Sequence, residues 1–461
     1  MSSAVAFQPE PPRVAKGRRP ILTSSVLLAG GGAILLSAPL TFGAVEPWAV
    51  LALQASATLL FVAWGARQWV NREIQFTSHP LYRPMLAFAA LVTLQWLTGW
   101  TAYRHATYSL LLLYLSYGLL VFVVTQTLQR ASQLQKSAWI LSGYAAVLAT
   151  FSLLRGLAQN GKLYGIWAPV HGQPYGPYVN HNHYAGLMEM LTPFLLVLAA
   201  TRFTSGVRKA AVAGIAAVMA GTIFLCGSRG GMLAFTVQVV LLVVLLRPRQ
   251  EDWKQHLVLG AGLAAMIGVL VLIGGSELTS RLASIHTETQ QELSGGVRLA
   301  IDRDCLRMWR EKPLFGWGLG TFPVVYPQFR SFYTNFFVNE AHNDYLQLLT
   351  ETGLAGFAIA VWFLVLTFRH AWAKLDNWTE NAGGALTVAA LVGCVGILIH
   401  SFLDFNLQIP ANAAMFYVLC AIAASNPLQE SQRRRSRRNR HLILKPRPET
   451  ATPDAPTSAT T

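Results

Sequence analysis

Long apolar runs separated by short polar connections recur from about residue 21 to residue 425. A run of roughly 20 apolar residues is the length at which an α-helix crosses the hydrocarbon core of a bilayer. Such a helix satisfies its own backbone where no water can. Twelve runs meet that description, centred on 21–41, 48–66, 84–101, 107–127, 137–157, 183–201, 209–226, 230–246, 256–274, 345–368, 384–403 and 410–425. Strand-length alternation is absent, which argues against a β-barrel. The chain is 53% hydrophobic and 12% charged, about half the charge of a soluble domain. The pattern predicts an all-α polytopic membrane protein of about 12 transmembrane helices. The first run has no convincing cleavage site and reads as a retained helix.

A net charge of +15 would suit nucleic-acid binding, but its distribution argues against it. Much of it lies in tails beside apolar runs, at Arg13, Lys16, Arg18 and Arg19 and again from Arg433 to Arg440, with Lys445 and Arg447. Basic flanks of this kind mark the cytoplasmic side of a membrane protein. With the N-terminus inside, the cytoplasmic loops carry Arg67, Arg72 and Arg83; Arg130 and Lys136; Arg202, Arg208 and Lys209; Arg247, Arg249 and Lys254; Arg369 and Lys374. The short outer loops are poor in Lys and Arg. This sets an expected organisation: a basic tail over 1–20, nine helices over 21–274, one large extracytoplasmic loop over 275–344, three helices over 345–425 and a cytoplasmic tail over 426–461. Both termini are then cytoplasmic. The four cysteines, at 226, 305, 394 and 420, form neither a CxxC pair nor a zinc spacing.

On this topology five polar clusters fall on the outer face. The first, Asn180-His181-Asn182-His183, opens the sixth helix, where imidazoles and free backbone N–H groups can face an anion. Asn180 or Asn182 serves as its N-cap. Two histidines two residues apart point to different sides of a helix, which weakens a metal reading. The second, Ser228-Arg229-Gly230-Gly231, puts a permanent charge in a tight turn, where it can grip a phosphate or simply snorkel to the interface. In the third, the long loop, Arg298, Arg303, Arg307 and Arg310 recur at helical spacing, and Lys312-Pro313-Leu314-Phe315-Gly316-Trp317-Gly318-Leu319-Gly320 reads as a tight aromatic turn rather than a nucleotide loop. The fourth is His342-Asn343-Asp344. A histidine there can act as a base near neutral pH, or the segment can be a capped helix start. Nine residues on, Gly353-Leu354-Ala355-Gly356 gives small residues that let another helix approach closely. The fifth holds His400 and Asp404, four apart and so able to share a helix face, as an orienting pair or as a satisfied polar belt.

Together the clusters resemble the O-antigen ligase and polymerase superfamily, bacterial membrane glycosyltransferases of the GT-C type. The resemblance rests on Ser228-Arg229-Gly230-Gly231, on Arg298 running into the Pro313–Gly320 segment, on His342-Asn343 with Gly353-Leu354-Ala355-Gly356, and on His400 to Asn406; it spans about residues 170–425. It implies a GT-C-like fold in the bacterial inner membrane. It also implies a donor glycan on undecaprenyl pyrophosphate and an acceptor hydroxyl on lipid A core, another lipid-linked glycan or protein. No cofactor and no metal is implied, and a single displacement inverts the anomeric centre. Carried over, Arg229 and Arg298 hold the pyrophosphate and His342 takes the acceptor proton. His181, Asn182, His183, Ser228, Asn343, Asp344, His400 and Asp404 become candidate substrate contacts. A carrier of small anions is the alternative. It calls for polar groups at mid-membrane and for broken helices, whereas here the polar groups crowd one face.

The topology has a direct check. On a cysteine-free background, Lys312→Cys is expected to react with a membrane-impermeant maleimide in intact spheroplasts, and Arg130→Cys only after lysis. The reverse pattern would invert the orientation.

Overall fold

A computed structural model describes residues 23–72, 74–157, 162–167, 172–246, 268, 295–334, 337–376 and 378–426. Among these residues the regular structure is helical, with two isolated backbone bridges and no strand. The helices are α1 (Ser24–Leu40), α2 (Pro47–Asn71), α3 (Tyr82–Thr98), α4 (Arg104–Thr127), α5 (Ala131–Leu157), α6 (His181–Ala200), α7 (Gly206–Leu225), α8 (Arg229–Leu246), α9 (Gly295–Glu311), the single-turn α10 (Phe322–Val325), α11 (Asp344–Trp372), α12 (Ala382–His400) and α13 (Pro410–Ala424). Eight of them are long and apolar enough to cross a membrane, and α1 and α13 are apolar but shorter, at 17 and 15 residues. Every expected span except 256–274 coincides with a helix in α1–α8 or α11–α13. The span 256–274 apart from Gly268, the basic loop with Arg247, Arg249 and Lys254, residues 275–294 of the long loop, and the tails over 1–20 and 427–461 lie outside the described residues.

Burial separates the helices by role. The spanning windows of α6 and α12 are 89% and 83% buried within the protein, against 17% for α2. α6 and α12 therefore form the centre. They pack on each other and on α5, α8 and α13, and α6 also on α7. α1–α4 form a flanking group, joined to the centre through α13 and α11. A bilayer gives no hydrophobic reward for bringing helices together, so close packing and buried polar contacts must hold this centre. Gln238 of α8 supplies one such contact. Its buried amide donates to Glu189 O of α6 at 2.9 Å and to Val392 O of α12 at 2.8 Å, tying three helices at one point.

Helix α11 is broken. Gly353 has φ 62° and ψ −167°, a region that only glycine enters readily. The break withdraws Thr350 O and Glu351 O, and the N–H groups of Leu354 and Ala355, from the helical ladder. The segment 313–318 pairs with all four. Trp317 N donates to Thr350 O (3.0 Å), Gly318 N to Glu351 O (2.8 Å), Leu354 N to Pro313 O (2.8 Å) and Ala355 N to Leu314 O (3.0 Å). Gln95 of α3 seals the junction, donating to Phe315 O and Glu351 O and accepting from Leu319 N. The buried Glu351 carboxylate then accepts from Gly320 N and Phe322 N. The expectation that Gly353 admits a neighbouring helix is thus corrected: it admits a loop, whose backbone completes the broken helix.

Beyond this junction a small apolar cluster of Ile301, Cys305, Met308, Phe322, Val325 and Tyr326 packs α9 and α10 over the end of α11. The loop segment is therefore a fixed body on the bundle.

Gly353→Ala is expected to destabilise the protein by roughly 1–3 kcal/mol, because a Cβ there meets the Leu314 and Phe315 backbone in a strained conformation. Gly32→Ala, with open space around it, is expected to be neutral or slightly stabilising. Thermal unfolding of the purified variants in detergent checks both.

Candidate functional site

The turn that follows α12 is where the five clusters meet. It leaves the helix through Leu403 N and Asp404 N, both donating to His400 O. Asp404 is 1% exposed. Its Oδ2 accepts from Asn182 Nδ2 at 2.5 Å, its Oδ1 accepts from Phe405 N at 2.8 Å, and Oδ1 lies 3.3 Å from His342 Nδ1. One residue back, Leu403 O accepts from Arg298 Nη1 at 2.8 Å. Ser401 O accepts from Asp344 N at 2.9 Å. The Asp344 carboxylate reaches the far side of the turn, accepting from Leu407 N at 3.0 Å and Gln408 Nε2 at 3.3 Å.

Each side chain is placed by a helix terminus. Asn180 caps α6, accepting from Asn182 N at 2.8 Å, so His181, Asn182 and His183 occupy its first turn, and all three are buried. Asn343 caps α11, accepting from Tyr345 N and Leu346 N at 3.2 Å, and its amide donates to Asp302 of α9 at 3.4 Å. Immediately before that cap, His342 has φ 54°, in the left-handed region that a side chain with a Cβ rarely enters. Phe405 lies edge-to-face between the rings of His342 and His183, with centroids 4.8 and 4.7 Å away.

Electrostatics favour an ionised Asp404. Burial alone would raise its carboxyl, but His342, Arg298 and His183 outweigh burial and hold it well below the usual carboxylate range. A depressed carboxyl contributes stability above its unfolded value and loses it only as pH falls through the folded one. The charge therefore persists at any pH above the ordinary carboxylate range. Asp302 moves the other way: burial pushes its carboxyl up, against the opposing influence of Asn343, Arg298 and His342.

A second chain of contacts runs inward from the same turn. His400 Nδ1 lies 2.9 Å from Glu189 Oε1, and its Nε2 lies 3.5 Å from Ser228 Oγ, which accepts from Gly231 N at 3.1 Å. His400 and Asp404 thus do not pair across a helix face. Helix α12 stops at His400, and the turn sends the two side chains to different partners.

Of the four arginines of α9, Arg303, Arg307 and Arg310 are exposed, and Arg307 turns to Asp304 at 2.5 Å. Arg298 is half-buried and reaches the turn. Arg229 is the first residue of α8 and is exposed beside this region. Among the described residues no group of three or more His, Cys, Asp or Glu side chains could hold a metal ion.

Three residues escaped the sequence reading. Phe405 and Asp302 carry no signal of their own. Glu189 does: a lone acid in the apolar run Met188-Glu189-Met190 is costly in a membrane helix and marks a built partner.

Residues 214–361 match the family model described as O-antigen ligase. This bears out the resemblance to the O-antigen ligase and polymerase superfamily. The matched segment includes Arg229, Arg298 and His342. No curated protein matches the chain.

Asp404→Ala removes a buried charge on which an amide, an imidazole and a guanidinium converge. A loss of roughly 3–5 kcal/mol is expected, as when one partner of a buried pair is deleted. It would appear as a lower unfolding temperature of the purified protein. Wild-type stability would show that the buried charge is not structurally coupled.

Proposed function

We propose that the protein transfers a glycan from undecaprenyl pyrophosphate to an acceptor hydroxyl at the outer face of the bacterial inner membrane, as an O-antigen ligase-like or polymerase-like glycosyltransferase with a GT-C-like fold. The observation that carries this reading is His342. A left-handed backbone at a non-glycine residue costs energy. It turns this imidazole onto a buried carboxylate beside two arginine-bearing elements.

With Nδ1 3.3 Å from Asp404 Oδ1, Nε2 is the ring nitrogen on the other side of the imidazole, and the carboxylate beside it stabilises the imidazolium that forms. The acceptor oxygen attacks the anomeric carbon of the donor sugar while His342 Nε2 takes its proton. The bond from that carbon to the pyrophosphate oxygen breaks, and the leaving oxygen keeps the electron pair. Arg229 and Arg298 bind the pyrophosphate and stabilise the charge it gains. Attack opposite the leaving group inverts the anomeric centre. No residue in this scheme calls for a metal.

Two further features support a lipid-linked pyrophosphate. His183 Nε2 and Arg298 Nε are buried beside the turn with no hydrogen-bond partner within the protein, which leaves both open to a water or a ligand. An apolar cavity of about 530 Å³ lies between α2, α3, α4, α11 and α13, lined from Tyr82 and Phe122 to Asp344 and Gln408. It offers a lipid chain a path ending two residues from His342. The small-anion carrier gains no support from the family match.

His342→Ala is expected to lower transfer from a purified lipid-linked donor by about 10²–10⁴-fold, and Arg229→Ala by about 10²–10³-fold. Protein levels in the membrane should be unchanged. Full activity in both variants would refute the assignment. The glycan profile of a deletion strain separates the two classes: loss of long chains on lipid A core identifies a ligase, and single-repeat chains identify a polymerase.

A further inference from the structure

We infer that Glu189, His400 and Ser228 form a buried positioning relay that seats Arg229 for the donor pyrophosphate. The inference rests on the pyrophosphate role proposed for Arg229 and adds the device that fixes it.

All three side chains are 0–1% exposed. His400 Nδ1 faces the Glu189 carboxylate, and its Nε2 faces the Ser228 oxygen on the other side of the ring. The Ser228 oxygen in turn accepts from Gly231 N, three residues on, and its carbonyl accepts from Met232 N. Ser228 is thereby the N-cap of α8, and Arg229 is the first residue past the cap.

The two glycines explain how the helix end comes so close. A Cβ on Gly230 would lie 2.6 Å from His400 Cδ2, and one on Gly231 would lie 2.8 Å from Ala185 Cβ and 3.0 Å from Glu189 Oε1. Only glycine lets the first turn of α8 press onto the Glu189–His400 pair. Serine, histidine and an acid in this order also make up nucleophilic triads. Here Ser228 has no exposure and its oxygen accepts from Gly231 N at the helix cap, so positioning is the role the geometry allows.

The test measures binding of undecaprenyl pyrophosphate to the purified full-length protein in detergent. Arg229→Ala should weaken binding by about tenfold or more. Glu189→Leu, which removes the acceptor for His400, should weaken it by about tenfold, whereas Glu189→Gln, which keeps an acceptor oxygen, should stay within about threefold. The combination of Glu189→Leu with Arg229→Ala should bind no worse than Arg229→Ala alone, because one acts through the other. A purely structural role would instead add its full loss to the double variant. Wild-type binding by Glu189→Leu, or full additivity, overturns the relay while leaving the pyrophosphate role of Arg229 intact. Wild-type binding by Arg229→Ala, or no binding by the unaltered protein, overturns both. If Glu189→Leu does not purify folded, Ser228→Ala cuts the same link and replaces it in the cycle.

Discussion

A buried, ionised Asp404 is the constraint around which the site is organised. A carboxylate withdrawn from water must be compensated by opposite charge and by donors, or it takes up a proton. Here the compensation comes from three separate segments: Asn182 at the start of α6, His342 ahead of α11, and the nearby Arg298 of α9. None of these is close to the others in sequence. Satisfying one charge therefore fixes the relative positions of three chain segments.

The second constraint is the splice at Gly353. In a bilayer a broken helix leaves polar backbone groups with no water to pair them, so a break persists only where protein supplies the partners. The Pro313–Gly318 segment supplies them, and Glu351 and Gln95 lock the next residues in place. The consequence reaches the candidate site. Helix α9, which carries Arg298 and Asp302, packs on the segment that this splice anchors, so its position follows from α11. His342 and Asn343 sit at the start of that same helix. A basic group and the imidazole near it are thus held by one rigid element and its own completing loop.

Much of this was legible in the sequence because hydrophobicity and polar punctuation are strong signals in membrane proteins. The apolar runs located the described spanning helices to within a few residues, and the caps at Asn180 and Asn343 lay where a polar residue precedes an apolar run. The clusters themselves were visible as polar residues that a membrane boundary makes expensive. Their pairing was not visible. Four-residue spacing suggested that His400 and Asp404 face each other, but spacing predicts a shared face only while the helix continues, and α12 ends at His400. Glu189 was readable as a lone acid in an apolar run, yet its partner lies 211 residues away. Gly353 signalled close approach correctly in kind, whereas Gly356 faces only Thr352 of its own helix, and a sequence does not say whether a helix or a loop approaches. That distinction depends on φ at Gly353, which is set by the segment it meets.

Arginine and imidazole must be held at a fixed separation for a displacement at a sugar carbon, since the leaving group and the attacking hydroxyl lie on opposite sides of that carbon. On the proposed function this task falls to the turn from His400 to Asp404. One end touches the cap of α8 through Ser228 and Gly230, and the other holds His342 through Asp404. Arg298 binds the carbonyl between them. The separation of the proposed leaving-group site from the proposed base is then set by five residues bound to the two most buried helices of the bundle. That is why a buried acid in mid-helix, Glu189, can matter to chemistry at the membrane edge. It anchors one end of the turn that separates the proposed leaving-group site from the proposed base.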